Sequence, residues 1–217
     1  MRHRYLLPIA AVVLALAFAV PARAAEPAPG FLTDVPDERS RAVTAFTDAP
    51  SYEAAMRLWK TPGDINAWIG GRFTYDMDRA KRFASPVDGK SLAGGVLAPE
   101  QLFAGPTGIC VDLARFGVES LRRIDPQAEA RYLRIEFEPV SVGGATLRFH
   151  WLALFRHGGD VYVFADSKRP GHMAGPYAST DAFIADYAKY RQRAIVGYRE
   201  LDTFRRTVKK TVRPSPG

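Results

Sequence analysis

The chain holds one cysteine, Cys110, in the stretch GPTGICVDLARF, and three histidines beyond its first 24 residues: His150, His157 and His172. A thiol becomes a nucleophile when a base takes its proton, and a carboxylate that steadies an imidazole completes such a set. Cys110, His150 and Asp166 follow one another at separations of 40 and 16 residues. In that chemistry sulfur attacks an amide or ester carbonyl, the imidazolium protonates the leaving group, and water or an amine resolves the thioester. The plainer alternatives are a buried inert thiol, a hydrogen-bonded core histidine and a carboxylate capping a strand end. His157 falls in a turn and is expected to face solvent; His172, in KRPGHMAGPY, reads as surface or as a cleft border. One cysteine and three scattered histidines offer no compact ligand motif, so neither a metal nor another cofactor is expected.

These side chains need elements to position them. After Cys110 the apolar residues Leu113, Ala114, Gly117, Val118, Leu121 and Ile124 recur at helical spacing, which predicts an amphipathic helix starting at the cysteine. Pro106 and Gly108 punctuate its entrance, and Thr107 is a candidate cap. Unpaired N–H groups and the positive end of the helix dipole would then face the sulfur and lower its pKa. The backbone N–H of Cys110 would be a ready oxyanion donor.

ARYLRIEFEPV, LRFHWLALFR and DVYVFAD read as three strands of an antiparallel meander, with turns at residues 142–144 and 157–159. His150 lies inside the second strand and Asp166 closes the third. For the two to face each other, Arg156 must pair with Asp160 across a three-residue loop, or a bulge must compensate. A two-residue Gly158–Gly159 loop would turn Asp166 to the other face.

An exported location explains why a lone thiol is notable, because structural cysteines there normally have partners. The first residues combine Arg2 and Arg4, an apolar run from Leu6 to Val20 and a small-x-small site at Ala22, Arg23 and Ala24. Cleavage after Ala24 is expected, since the run of about 15 residues is shorter than the roughly 20 a spanning helix needs. Removing Arg2, Arg4 and Arg23 and no acid takes the formal net charge from +7 to +4. Residues 1–24 are thus read as a signal peptide, 25–49 as a leader with little regular structure, 50–204 as one domain and 205–217 as a basic tail. A periplasmic or secreted monomer is expected. The tail, with Arg205, Arg206, Lys209, Lys210 and Arg213, reads as solvated, or as a weak contact to an anionic envelope surface. No aromatic-basic interleaving points to nucleic acid.

Taken together, Gly108-Ile-Cys110-Val-Asp112-Leu-Ala114, His150-Trp-Leu and Tyr162-Val-Phe-Ala-Asp166-Ser167 resemble the transglutaminase-like superfamily of papain-type cysteine enzymes. DINAWIGGRFTYDMD and LAPEQLFAG resemble the helix and loop that precede the cysteine in bacterial members, so the likeness covers about residues 50 to 170. The resemblance implies Cys110 as nucleophile, His150 as base and acid, and Asp166 as the residue holding the imidazole. It also implies a second oxyanion donor from an upstream aromatic residue; Tyr75 is the choice and Trp68 the rival, with core packing the alternative for both. Asp112 is expected to be structural. The sequence departs from the pattern in ADSKRP, where many relatives have a proline straight after the aspartate.

The expected fold is α+β, papain/transglutaminase-like, with the nucleophile helix packed on an antiparallel sheet and helices flanking it. APSYEAAMRLW reads as a core-facing helix capped by Ser51, with Met56 and Trp59 on one stripe. SKRPGHMAGPYAST reads as a loop whose Lys168 and Arg169 would favour acidic substrate groups, and residues 180–204 as a helical pattern running from Phe183 towards Tyr198 and Leu201. Three functions remain open: a peptidase or amidase acting on an envelope protein or peptide, an acyl transferase to amines, and a binding module without turnover.

Overall fold

Side-chain caps start the first two described helices, the Ser51 cap being the one the sequence predicts. Ser51 accepts the Ala54 N–H at 3.2 Å to begin α1 (Tyr52–Leu58), and Thr61 and Asp64 form a capping box on α2 (Pro62–Arg72). The structure, a computed structural model, describes residues 33–37, 45–84, 95–142 and 144–204; the expected signal peptide and basic tail lie outside the described residues. After α2 come β1 (Thr74–Tyr75), α3 (Met77–Ala84), α4 (Pro99–Ala104), β2 (Thr107–Gly108) and α5 (Cys110–Ile124). A 3-10 turn then leads to β3 (Arg131–Val142), β4 (Ala145–His157), β5 (Asp160–Phe164), β6 (Ala174–Tyr177), α6 (Thr180–Arg191) and β7 (Ile195–Leu201). Among the described residues no helix is long and apolar enough to cross a membrane.

The larger sheet has five antiparallel strands in the order β6-β5-β4-β3-β7. Its centre is the expected meander, but both edge strands are additions. The helical pattern of residues 180–204 stops at Arg191, where Gln192 takes a left-handed φ of 48°, and the chain turns back as β7 along β3. Ile195 and Val196 are β-branched and favour extended backbone, Gly197 weakens a helix, and β3 offers them an unpaired edge. Within the Pro/Gly-rich loop, AGPY forms β6, where an edge position tolerates Pro176.

The α+β class stands, with the cysteine-bearing helix against the sheet. Alternation along the strands sends Tyr132, Ala153, Phe155 and Phe164 towards α5 and the N-terminal helices. Leu133, Ile135, Leu152 and Leu154 go the other way, under Phe183 and Tyr187 of α6. On the first face Trp68 is sandwiched between Phe103 and Phe116, with ring centroids 5.0 and 4.7 Å away. Trp59 is buried beside them, and Met56 packs half-buried on the same core. Gly117 sets how closely α5 sits: a Cβ there would lie 2.8 Å from Ala165 Cβ and 3.0 Å from Ala153 Cβ.

The β4–β5 turn corrects the register. His157 pairs with Asp160 and Ala153 with Phe164 without a bulge, so the loop is the two-residue Gly158–Gly159. Both glycines have positive φ, 62° and 90°, which a type I′ turn requires and which matches the strand twist. An uninterrupted strand would leave Asp166 on the face opposite His150. The compensation lies beyond the strand: β5 ends at Phe164, and Ala165 takes a left-handed φ of 54° that swings Asp166 over to His150.

Candidate functional site

Cys110 is the first residue of α5, with Ile109 at the N-cap position. Thr107 is not the cap; it belongs to β2. The carboxylate of Asp112 does that work from inside the helix, accepting the Ile109 N–H at 2.9 Å and the Leu97 N–H at 2.8 Å. It also forms an ion pair with Arg79 of α3, so this fully buried acid ties the cysteine's turn to the segments around it. Its role is structural, as expected.

His150 is fully buried. Its Nε2 lies 3.0 Å from Asp166 Oδ1. Asp166 in turn accepts the Lys168 N–H at 2.8 Å, the Tyr187 hydroxyl at 3.0 Å and the Arg169 Nε–H at 3.2 Å. Arg169 is thus engaged by the carboxylate, and Lys168 is only 5% exposed. The Tyr187 ring lies nearly parallel to the imidazole, 12° off at 6.1 Å between centroids. With Asp166 on Nε2, the Nδ1 side of the ring is the side left for the thiol.

A residue of the expected leader also comes to this place. Asp34 Oδ1 lies 2.9 Å from His150 Nδ1, near enough for an ion pair but off the direction of a ring N–H hydrogen bond. The Cys110 sulfur, a His150 ring nitrogen and an Asp34 carboxylate oxygen all lie within 4.8 Å of one another. Arg191, 1% exposed, anchors the newcomer by donating to Asp34 Oδ1 at 3.1 Å and to the Thr33 carbonyl at 3.3 Å. The same guanidinium donates to the Tyr187 hydroxyl at 3.1 Å.

Burial opposes charge on each of these groups, and their partners decide the outcome. It would raise the Asp34 carboxyl, but His150 and then Arg191 hold it well below the usual carboxylate range. Asp166 is likewise driven far down despite burial, by His150 first and then Arg169. Burial would lower His150, yet Asp34, Tyr187 and Asp166 raise it well above 6.5. The thiol goes against expectation: burial and then the negative charge of Asp34 raise Cys110, outweighing His150 and the Trp151 backbone N–H. The helix start alone does not produce a depressed thiol while Asp34 sits on the pair.

The sulfur opens into a cleft of about 570 Å³ whose lining includes Asp34, Tyr75, Phe83, Phe149 and Trp151. Tyr75 reaches it because β1 pairs with β2, Tyr75 opposite Gly108. Its hydroxyl comes within 3.5 Å of Asp34 Oδ2. Trp68, the rival, is a core residue stacked between two phenylalanines. His157 is exposed and His172 half-buried, and neither lines the cleft. A second hollow, of about 320 Å³ at the C-terminal end of α5, contains no nucleophile.

Asp34, Tyr187 and Arg191 were not legible as site residues. FLTDVP carries a single acid in a stretch without periodicity, and Tyr187 and Arg191 look like any helical pair four residues apart.

No protein-family model and no curated protein matches the chain. Among solved structures, calcium-bound LapG of Legionella pneumophila is similar, with a TM-score of 0.34 and 16% identity over 64% of this chain and 62% of that one. The chain therefore spans less than two thirds of that protein's length.

Proposed function

We propose that the protein is an exported cysteine hydrolase, a peptidase or amidase, that acts on an envelope protein or peptide through a thioester at Cys110. One observation carries this reading: the lone thiol starts a helix beside a buried imidazole whose far nitrogen is held 3.0 Å from Asp166. The resemblance to transglutaminase-like cysteine enzymes names the same three residues in the same roles.

In this reaction His150 Nδ1 takes the proton of Cys110 and later returns it to the leaving group, while Asp166 keeps the ring oriented. The Cys110 backbone N–H and the Tyr75 hydroxyl stabilise the oxyanion. Burial and the negative charges of Asp34 and Cys110 push the Tyr75 phenol far above its ordinary value, so it keeps the proton a donor needs. The apolar walls at Phe83, Phe149 and Trp151 suit a substrate with bulky apolar side chains next to the reacting carbonyl. Asp34 occupies the approach to Nδ1, so substrate entry displaces it.

The test is a comparison of wild type with Cys110→Ala on envelope protein extracts, reading new N-termini and trapping the acyl-enzyme by mass. Hydrolysis predicts new N-termini or released ammonia, and a Cys110 adduct, in wild type alone. Incorporation of a labelled amine instead would make the protein an acyl transferase. Neither product, with no adduct on Cys110, leaves a binding module.

A further inference from the structure

From the donors gathered at Nδ1 we infer a second use of this pocket: Cys110, His150 and Asp34 form a binding site for a thiophilic divalent cation of the zinc class. The three donors are a sulfur, an imidazole nitrogen and a carboxylate oxygen, all within 4.8 Å of one another. Sulfur and nitrogen ligands at about 2.3 and 2.0–2.1 Å from a tetrahedral zinc stand roughly 3.5 Å apart, so small side-chain rotations suffice. The spacing along the sequence offers no ligand motif, because folding brings the carboxylate from the leader.

A second observation points to a ligand. His150 Nδ1 is fully buried and makes no hydrogen bond, although Asp34 Oδ1 stands 2.9 Å away. A buried nitrogen that meets its carboxylate as an ion pair without hydrogen-bond alignment is a place where a cation can replace the ring's proton. A cation off the N···O line and bound to both completes it, with the thiolate as third ligand. The Tyr75 hydroxyl borders the fourth position, since it reaches within 3.5 Å of Asp34 Oδ2. Outside the ligands, Asp166 accepts from Nε2, the carboxylate–histidine–metal relay that fixes the tautomer with a free lone pair on Nδ1.

The donor set selects the ion. Thiolate and imidazole suit zinc, cobalt or copper, whereas calcium and magnesium require a shell of oxygens. Bound there, the ion holds the sulfur and Nδ1 lone pairs together, so the pair can neither attack nor move a proton. It also pins residues 33–37 across the cleft. The binding site does not depend on the hydrolase reading; the inhibition does.

Cobalt(II) titration of the purified protein tests this, with absorbance as the readout and zinc and calcium as competitors. One equivalent of cobalt should give a thiolate-to-cobalt charge-transfer band with tetrahedral d–d bands, displaced by zinc and not by calcium. Cys110→Ser should lose the charge-transfer band. Asp34→Asn, which keeps a hydrogen-bond acceptor for Arg191, should bind zinc at least tenfold more weakly by calorimetry, with circular dichroism matching wild type. Absence of the band in wild type, equal zinc affinity in Asp34→Asn, or displacement by calcium would each overturn the inference. Because the band needs no turnover and activity is read on the metal-free protein, a chelator-treated protein that is inactive yet shows the band on adding cobalt sinks the hydrolase and keeps the metal site; an active hydrolase without the band does the reverse.

Discussion

The two nitrogens of His150 have unlike neighbourhoods. Nε2 faces Asp166, which lies buried two residues past the end of β5 and is held by Lys168 and Arg169 of the same connection and by Tyr187 of α6. Nδ1 faces Asp34, which belongs to no helix or strand; its described partners are Arg191, Tyr75 and the ring itself. One flank is part of the scaffold, and the other is a chain segment laid upon it. A carboxylate fixed by packing can orient a base through many turnovers. One held by polar contacts can be displaced, and it changes the site's chemistry when it leaves.

Replacing the two acids should therefore have opposite consequences. Asp166→Asn should lower kcat by about 10⁴-fold, the loss seen when a carboxylate that orients a catalytic histidine becomes an amide. A change under tenfold would mean that the scaffolded flank does no catalytic work.

The next effect concerns the scaffold alone. Gly117→Ala places a methyl against Ala165 and Ala153 and should cost about 1–3 kcal/mol in urea unfolding. Because Ala165 also aims Asp166, the variant should lose activity beyond what its unfolded fraction explains. Full activity in the folded fraction would separate the helix seat from the triad.

Asp34→Asn is expected to act more gently and in the other direction. It removes a negative charge that raises the thiol, so iodoacetamide should label Cys110 at lower pH than in wild type. A pH profile that stays put or moves upward would show that Asp34 does not govern the thiol.

The smallest effect is on stability against pH. Asp34 and Asp166 have lowered pKa values in the fold, so their stabilisation is present above the unfolded value of about 3.9 and is lost as pH falls. His150 is raised, so its contribution is present below about 6.5 and is lost as pH rises through its folded value. Urea midpoints should fall on both sides, and Asp34→Asn should flatten both limbs. An unchanged profile in that variant would place the coupling elsewhere.

Much of the site was legible because its signals are local. The helix at Cys110 follows from apolar spacing, and the strands around His150 follow from alternation. What was misread depends on partners distant in sequence. Residues 195–201 continue a helical pattern, yet the edge of β3 draws them into the sheet. The Gly158–Gly159 loop alone gives Asp166 the wrong face, and the corrective twist lies in Ala165, a residue type that does not advertise a positive φ.

The sequence by itself singled out Cys110, His150 and Asp166 as candidates, because residue type and order suggest that chemistry. It also determined the helix and strands that present them, because periodicity is written along the chain. Only the tertiary structure decided the charge state of the site. Burial and the arrival of Asp34 are properties of what packs beside a group, and that turns an expected low thiol pKa into a raised one.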